Sequence, residues 1–406
     1  MWRCDPPTRL VLAALAGLVG AALHVAPLAL VAPLLGRPRL ALLAAAAVGA
    51  GWGSMQVASL EHRALAPGPL VGVVVVTGRP AGSQAIARVP GAREDVVLRA
   101  RATHLVQGGI YRVRGTLSPI DPDLRGYYAT QGAHLRLTAA GPVLLGRRGG
   151  LWGTIDATHD AALHRLGADH DPTEQRALVA GVALGEGDAL PYELRQQFRQ
   201  AGLTHVVAAS GQNVALVVAM TVIALGLCGL IGTPARLAAL ALTVLYVLVA
   251  GSGPSIVRAG VAGALTLAAW LGSRPVARWH LVACGAVVVL AVNPLSLFDP
   301  GFQLSFAAVA AIMLVAPRVH GGLRQAVAIS VACTVATAPI AWWHFGRVSP
   351  MAVPANLLAL PAIAPILWLG LLAAVAGSLW APLARPLLAV ADVLAAYVIW
   401  VARLCS

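Results

Sequence analysis

Residues 351–376 read MAVPANLLALPAIAPILWLGLLAAVA and contain no charged side chain. A run of about 20 apolar residues is long enough for a helix to cross the hydrocarbon core of a bilayer. The whole chain shares this character, since 58% of its 406 residues are hydrophobic and only 11% are charged, whereas soluble domains have roughly 45 to 50% and about 25%. The composition therefore excludes a water-soluble globule, a disordered chain and a coiled coil, and it predicts a membrane protein.

Apolar runs of similar length recur through the last half of the sequence. We predict a channel-type membrane domain over residues 205–406 with about eight spans, placed near 205–231, 235–252, 256–273, 279–295, 301–317, 323–345, 351–376 and 384–404. The chain contains 42 glycines and 27 prolines, so we expect several spans to be kinked or broken. Lipid tolerates such breaks only where the freed backbone groups face protein or water.

The first 60 residues are also apolar and are predicted to hold N-terminal membrane segments. Residues 10–35 form either one long span or a hairpin of two half-length helices, and a further span follows. The hairpin is favoured because it returns Arg3 and Arg9 to the side on which Arg37 and Arg39 lie, as the positive-inside rule requires.

Residues 61–200 are the part of the chain whose composition suits water. Within residues 61–150, β-branched residues alternate with polar ones between Gly, Pro and Asp, which predicts a small OB-like β barrel. Its strands are predicted near Val71–Thr77, Val96–Thr103, Tyr111–Leu117 and His134–Thr138. Residues 151–204 are predicted to form a helical connector, with a helix start at Asp171–Glu174 and an amphipathic segment at Glu193–Gln200. The predicted fold is mainly α, a polytopic helical membrane protein with an inserted small OB-like β module.

Every basic residue is an arginine, and 29 arginines against 16 acids give a net charge of +13. Residues 61–150 carry +7, residues 151–200 carry −4 and residues 201–406 carry +7. If residues 61–200 lie outside the cell, most loop arginines fall on the cytoplasmic side. The exceptions in this topology are Arg258, Arg347 and Arg403. The positive excess also favours an anionic partner.

Four segments bring polar side chains into apolar runs, where contact with lipid would be costly. The residues that we single out as pore-lining or DNA-binding are His205, Ser210, Gln212, Asn213, Ser255, Arg258, Asp299, Gln303, Ser305, His344, Arg347 and Asn356. Hydrogen bonds between helices, interfacial snorkelling and helix capping are the structural alternatives. Asp299 is one of two acids after residue 200, and we expect it to neutralise Arg258.

The same segments resemble the signature blocks of the ComEC family of competence proteins, which are proposed inner-membrane channels for transforming DNA. The four blocks are Gly202–Val214, Ser255–Ala259, Asp299–Phe306, and Phe345–Ser349 together with Asn356–Pro361. They follow the order found in the family, and residues 61–150 resemble its outer OB-like domain. The resemblance therefore covers nearly the whole chain.

Two departures from the family are visible. The first block reads Ser-Gly-Gln-Asn-Val where the family often has Ser-Gly-Leu-His-Val, so a role of that histidine does not transfer to Asn213. Many members also continue into a metallo-β-lactamase-like domain, the proposed nuclease. The eleven histidines here include no HxHxDH motif, and His159–Asp160, His164 and Asp169–Asp171 form no comparable cluster. We expect no catalytic residue, no metal and no cofactor, and we expect a separate nuclease to degrade the second strand.

The resemblance implies a passive channel for single-stranded DNA in the cytoplasmic membrane, with Arg258 and Arg347 offering charge to phosphates. The expected partners are single-stranded DNA, the DNA receptor and pulling motor of the uptake machinery, and the lipid bilayer. The barrel is expected to lie outside the membrane, where its arginines attract DNA. Its three tyrosines, Tyr111, Tyr127 and Tyr128, are too few for a row of stacking platforms, so we expect it to guide strands.

Two other classes of protein stay open. A transporter or channel for a small anionic solute also uses basic cavities and broken helices, although the sequence shows no convincing inverted repeat. A polytopic membrane enzyme would need clustered acids within its spans, where only Asp299 and Asp392 occur.

Overall fold

A computed structural model shows the fold of most of the chain. It describes residues 6–22, 39–61, 65–80, 82–92, 94–101, 105–169, 172–207, 211–250, 260–261, 263 and 278–406. The second half of the predicted hairpin and almost all of the predicted span 256–273 lie outside these residues. The described part is mainly helical with one small barrel, so the predicted fold class is confirmed.

The helices follow one another along the chain with the barrel inserted after the second. They are α1 (Pro6–Ala22), α2 (Arg39–Glu61), α3 (Pro122–Ala129), α4 (Gly150–Leu166), α5 (Glu174–Leu184), α6 (Tyr192–Gln200), α7 (Thr204–Val207), α8 (Gly211–Leu227), α9 (Thr233–Ala250), α10 (Arg278–Val292), α11 (Pro300–Val315), α12 (Gly322–Phe345), α13 (Ala352–Leu379) and α14 (Ala381–Leu404). Two compact units result, Met1–Asp156 with Trp279–Asp299, and Ala157–Arg278 with Pro300–Ser406.

The barrel in the first unit is built from five strands. They are β1 (Gly68–Val76), β2 (Gln84–Arg88), β3 (Asp95–Arg101), β4 (Gly109–Pro119) and β5 (Ala133–Ala140). The strands close in the order β1-β2-β3-β5-β4-β1, with β3 and β5 parallel. This arrangement is OB-like, as predicted. A sixth strand, β6 (Val143–Arg147), pairs with the start of β4.

Period-two alternation along the strands produces the barrel core. On β4, Tyr111 and Val113 are buried inside the barrel, whereas Arg112 and Arg114 point outward and are exposed. Successive side chains of a strand point to opposite faces, so the sequence pattern fixes which residues fill the interior. The strands β2 and β6 were not predicted, because five residues are too few to show the alternation clearly.

Side-chain hydrogen bonds tie the barrel to the helices of the first unit. His134 Nε2 lies 2.7 Å from the carbonyl oxygen of Leu60, near the end of α2. Asn293 donates to the carbonyl oxygen of Thr130, which caps α3. The last carbonyls of a helix lack partners within that helix, so these side chains satisfy helix ends while they join the elements.

In the second unit, α5 forms the centre of the core. Every residue from Ala177 to Leu184 is buried, and the helix packs against both α13 and α14. The absence of a side chain at Gly370 permits the close approach of α13, because a Cβ there would lie 3.1 Å from side-chain atoms of Ala183 and Val179. Gly185 ends α5 with φ of 75°, a left-handed conformation that glycine adopts without strain.

Four helices of the described chain are long and apolar enough to cross a membrane. They are α9, α12, α13 and α14. Three further apolar segments, at Asn213–Leu227, Trp279–Val292 and Pro300–Val315, are shorter. A helix of 15 residues is about 22 Å long, less than the roughly 30 Å of a hydrocarbon core. The count of eight spans stays a prediction.

Candidate functional site

One candidate site lies on the outer wall of the barrel, around Arg99 of β3. Arg99 pairs in register with Gln84 of β2 and with Thr138 of β5. The hydroxyl of Tyr128, on α3, lies 3.5 Å from the Gln84 side-chain oxygen. Tyr127 packs edge-on against Tyr128 with ring centroids 5.1 Å apart, and half of its surface is exposed. The structure thus places one exposed tyrosine, Tyr127, and one half-buried tyrosine, Tyr128, near an exposed arginine.

Two other arginines of the barrel are neutralised by carboxylates. Arg136 donates to Asp121 at 2.6 Å, and Arg88 binds Asp95 at 2.9 Å. The hydrogen bond from Arg136 lowers the pKa of Asp121, and the hydrogen bond to Asp95 raises the pKa of Arg88. Both pairs are therefore charged at neutral pH. Among the described residues, Arg99 has no such ion pair, so its charge is available to a ligand.

Tyr111 belongs to the barrel core and not to its surface. Its side chain is 1% exposed, and its hydroxyl accepts a hydrogen bond from the backbone N–H of Val106 at 2.8 Å. Only Tyr127 and Tyr128 of the three tyrosines are placed for contact with a ligand.

A second candidate site lies in the helical unit, where two of the sequence blocks meet. The Ser349 hydroxyl donates to the carbonyl oxygen of Gln200 at the end of α6. Gly202 permits this contact, because a Cβ there would lie 2.7 Å from the Ala352 side chain. His205 and Arg347 are both exposed; Arg347 lies two residues before Ser349, and His205 lies three residues after Gly202. The blocks that contain His205 and Arg347 are therefore neighbours in space.

Gln303 and His344 form another contact between blocks. His344 Nε2 lies 2.9 Å from the Gln303 side-chain oxygen and joins α11 to α12. An amide oxygen is an acceptor, so this nitrogen carries the proton. Ser305 is half-buried on α11, and Asp299 is buried at the residue before that helix.

Asn213 holds α8 against α5. Its side chain is 1% exposed, and its Nδ2 donates to the carbonyl oxygen of Val182 at 3.0 Å. That carbonyl belongs to the last turn of α5 and lacks a helical donor. Asn356 differs, since its buried Oδ1 has no hydrogen-bond partner among the described residues.

The remaining predicted residues lie outside the described structure. Ser210, Ser255 and Arg258 are not among the described residues, nor is the side chain of Gln212. The predicted ion pair of Arg258 with Asp299 accordingly stays a prediction.

Charged residues outside the predicted site set join α5 to α14. Arg176 Nη2 lies 2.8 Å from Asp392, and Arg403 Nη2 lies 2.7 Å from Glu174. These pairs account for the presence of Asp392 within a span and for Arg403, an exception to the predicted charge topology. The sequence alone does not predict these pairs, because an isolated 11-residue segment gives no sign that α5 is buried between apolar helices.

His159 is a further buried polar residue of the helical unit. Its Nδ1 lies 2.8 Å from the carbonyl oxygen of Val249, and its Nε2 lies 2.9 Å from Glu186. A carbonyl can only accept, so Nδ1 carries a proton. The contact with Glu186 then requires a second proton, on Nε2 or on the carboxylate. Within the described ranges, no group of three or more His, Cys, Asp and Glu side chains is placed to hold a metal ion.

Apolar helices of spanning length and an inserted OB-like barrel define the class of this protein, a polytopic helical membrane protein. The family model described as "Competence protein" matches residues 182–406, more than half of the chain, and the chain belongs to that family. The resemblance to ComEC proteins is thereby confirmed.

Two curated relatives match about half of the chain. Over 193 residues it is 28% identical to ComE operon protein 3 of Bacillus subtilis (strain 168), which covers 47% of this chain and 25% of that protein. Over 216 residues it is 26% identical to the uncharacterized protein YcaI of Escherichia coli (strain K12), with 47% and 28% covered. The match thus spans about a quarter of the length of these relatives. No solved structure matches the chain.

Proposed function

We propose that the protein takes part in DNA uptake during natural transformation and provides a passive path for single-stranded DNA through the cytoplasmic membrane. The observation that carries this proposal is the match of residues 182–406 to the competence protein family. In this proposal the barrel lies on the outer side of the membrane. A DNA receptor delivers the strand, a separate nuclease degrades its complement, and a motor pulls it inward.

The barrel wall around Arg99 receives the strand. OB folds bind oligonucleotides on the face of their second and third strands and on the loop between the fourth and fifth. Arg99 lies on β3, and Tyr127 lies on α3 in the β4–β5 connection. A guanidinium group attracts phosphates, and a single exposed ring can stack on one base. The barrel therefore guides the strand and does not hold it tightly.

The helical unit supplies the path across the membrane. Arg258 and Arg347 attract phosphates, and Asp299 orients Arg258. Charged groups at membrane depth are costly unless they are paired or hydrated, so a hydrated corridor suits these residues. His205, Ser210 and Gln212 add polar lining beside Asn213, which fixes the start of α8 onto α5. Ser255, Gln303, Ser305, His344 and Asn356 complete the proposed polar set.

The proposed path is tested by alanine variants of its arginines. Arg258→Ala and Arg347→Ala are expected to lower transformation frequency at unchanged protein level, because each removes a phosphate-attracting charge. Arg385→Ala is the matched control, since Arg385 is an exposed arginine outside the family blocks. Wild-type frequency for both variants would contradict the path. Loss of uptake of a small anionic solute, with DNA uptake intact, would favour the solute transporter instead.

A further inference from the structure

The edge of the barrel formed by β6 and the start of α4 exposes a row of large apolar side chains. Val143, Leu144 and Leu145 are 58%, 48% and 46% exposed, and Leu151 and Trp152 are 72% and 52% exposed. We call these five residues the apolar edge. A strand with one face in water normally alternates buried apolar residues with exposed polar ones. Three consecutive exposed apolar residues on β6 therefore need an explanation.

A β-bulge in β6 produces this exposure. Tyr111 of β4 pairs with Leu144, whereas the preceding residue Ile110 pairs with Gly146, so Leu145 is an extra residue. A bulge leaves one residue unpaired and redirects the side chains around it. Both faces of β6 consequently present apolar side chains. A peptide strand that paired with β6 would cover only its backbone hydrogen-bonding groups. The apolar side chains on both faces of β6 would stay in water.

Exposed arginines flank the apolar edge. Arg112 of β4 is exposed and pairs in register with Val143 on one side and with Val73 on the other. Arg147 ends β6 and is also exposed. The guanidinium of Arg148 lies 5.5 Å from the Trp152 ring, but it is already paired with the buried carboxylate of Asp156 at 2.6 Å. Residues 124–155 contain no Asp or Glu.

The occupant that fits this chemistry is the surface of a bilayer. Tryptophan and arginine are favoured where hydrocarbon meets headgroups, and aliphatic side chains beside them gain by leaving water. Anionic headgroups attract the exposed residues Arg112 and Arg147. We propose that the apolar edge docks the barrel onto anionic lipid of the membrane in which the chain is embedded. This proposal is independent of DNA transport.

Site-directed fluorescence of the full-length chain tests the docking. A cysteine-free background would carry Leu145→Cys, or Ser83→Cys as control, because Ser83 is exposed in the β1–β2 turn. Each variant is labelled with an environment-sensitive dye and placed in nanodiscs of phosphatidylcholine, with or without phosphatidylglycerol. We expect lipid-borne nitroxides to quench the label at residue 145 several-fold more than the label at residue 83. Phosphatidylglycerol should strengthen this quenching, and salt should weaken it.

Two results would overturn the proposal. One is equal access of aqueous iodide to both labels in both lipids. The other is protection of residue 145 from iodide without quenching by lipid, which would indicate a protein partner. Hydrogen exchange of the unlabelled wild-type chain checks the same point without substitutions. Amides of residues 143–152 should exchange more slowly in anionic than in neutral nanodiscs, and equal rates would also contradict docking.

Discussion

Asn213 and Asn356 show how differently two asparagines of one sequence pattern are used. Both are polar residues within apolar runs, a pattern that suggests a hydrated path. Asn213 donates to Val182, whereas Oδ1 of Asn356 has no partner among the described residues. The sequence identified both positions, but the partner of Asn213 lies 31 residues away and depends on how α5 packs.

The contrast predicts different costs for the same substitution. Asn213→Ala should lower the free energy of unfolding by about 1 to 3 kcal/mol, because it leaves a buried carbonyl unpaired. Asn356→Ala removes no hydrogen bond through Oδ1 and should cost less. Thermal unfolding of the two variants in the same detergent measures the difference. Equal losses of stability would show that the bond to Val182 is not the stabilising feature.

Helix ends explain several polar residues at the scale of elements. Asn213, Asn293 and Ser349 each donate to a carbonyl at or beside the end of a helix. Arg176 does the same for Leu166 at the end of α4. These carbonyls have no donor within their own helices, and lipid supplies none. Asn213, one of the residues predicted as pore lining, therefore also holds a helix end.

The pairing of α5 with α14 gives a prediction at this scale. Arg176→Ala should destabilise the protein by about 1 to 3 kcal/mol, between the values for exposed and buried ion pairs, because it leaves Asp392 unpaired in a span. Adding Asp392→Asn should restore part of the lost stability, because it removes the unpaired negative charge. Thermal stability of the single and double variants in detergent measures this rescue. A double variant less stable than Arg176→Ala would contradict the pairing.

The elements also show what could be predicted. The sequence predicts four of the strands and the amphipathic helix α6, because alternation and helical periodicity are local signals. The core position of α5 was missed, since its 11 residues lie in a stretch rich in charge and its burial depends on α13 and α14. Contacts between the blocks, such as Gln303 with His344, were likewise invisible, because they depend on which helices pack together.

For the whole molecule, the charge of the barrel predicts how oligonucleotide binding responds to salt. Each arginine that contacts a phosphate of single-stranded DNA contributes about 0.7 to the slope of log affinity against log salt. Arg125 is an exposed residue of α3, two residues before Tyr127. Arg99→Gln with Arg125→Gln should therefore reduce the slope by about 1.4. The double variant Arg88→Gln, Asp95→Asn removes an ion pair without changing the net charge, and it should leave the slope unchanged. Fluorescence anisotropy of full-length protein in neutral nanodiscs measures both.

Two results would contradict the proposed role of the barrel in binding DNA. If the control pair alters the slope as much as the Arg99 and Arg125 variant does, binding follows general surface changes and not the wall around Arg99. Binding that is the same at low and high salt would contradict an electrostatic contact altogether.

The central claim is that this chain lets single-stranded DNA cross the cytoplasmic membrane. The most direct measurement follows fluorescently labelled DNA into the cytosol of a deletion strain, its complemented counterpart, and a strain with Arg347→Ala at equal protein level. We expect cytosolic label in the complemented strain, none in the deletion strain and a reduced amount with the variant. Equal cytosolic label in the deletion and complemented strains would contradict the claim.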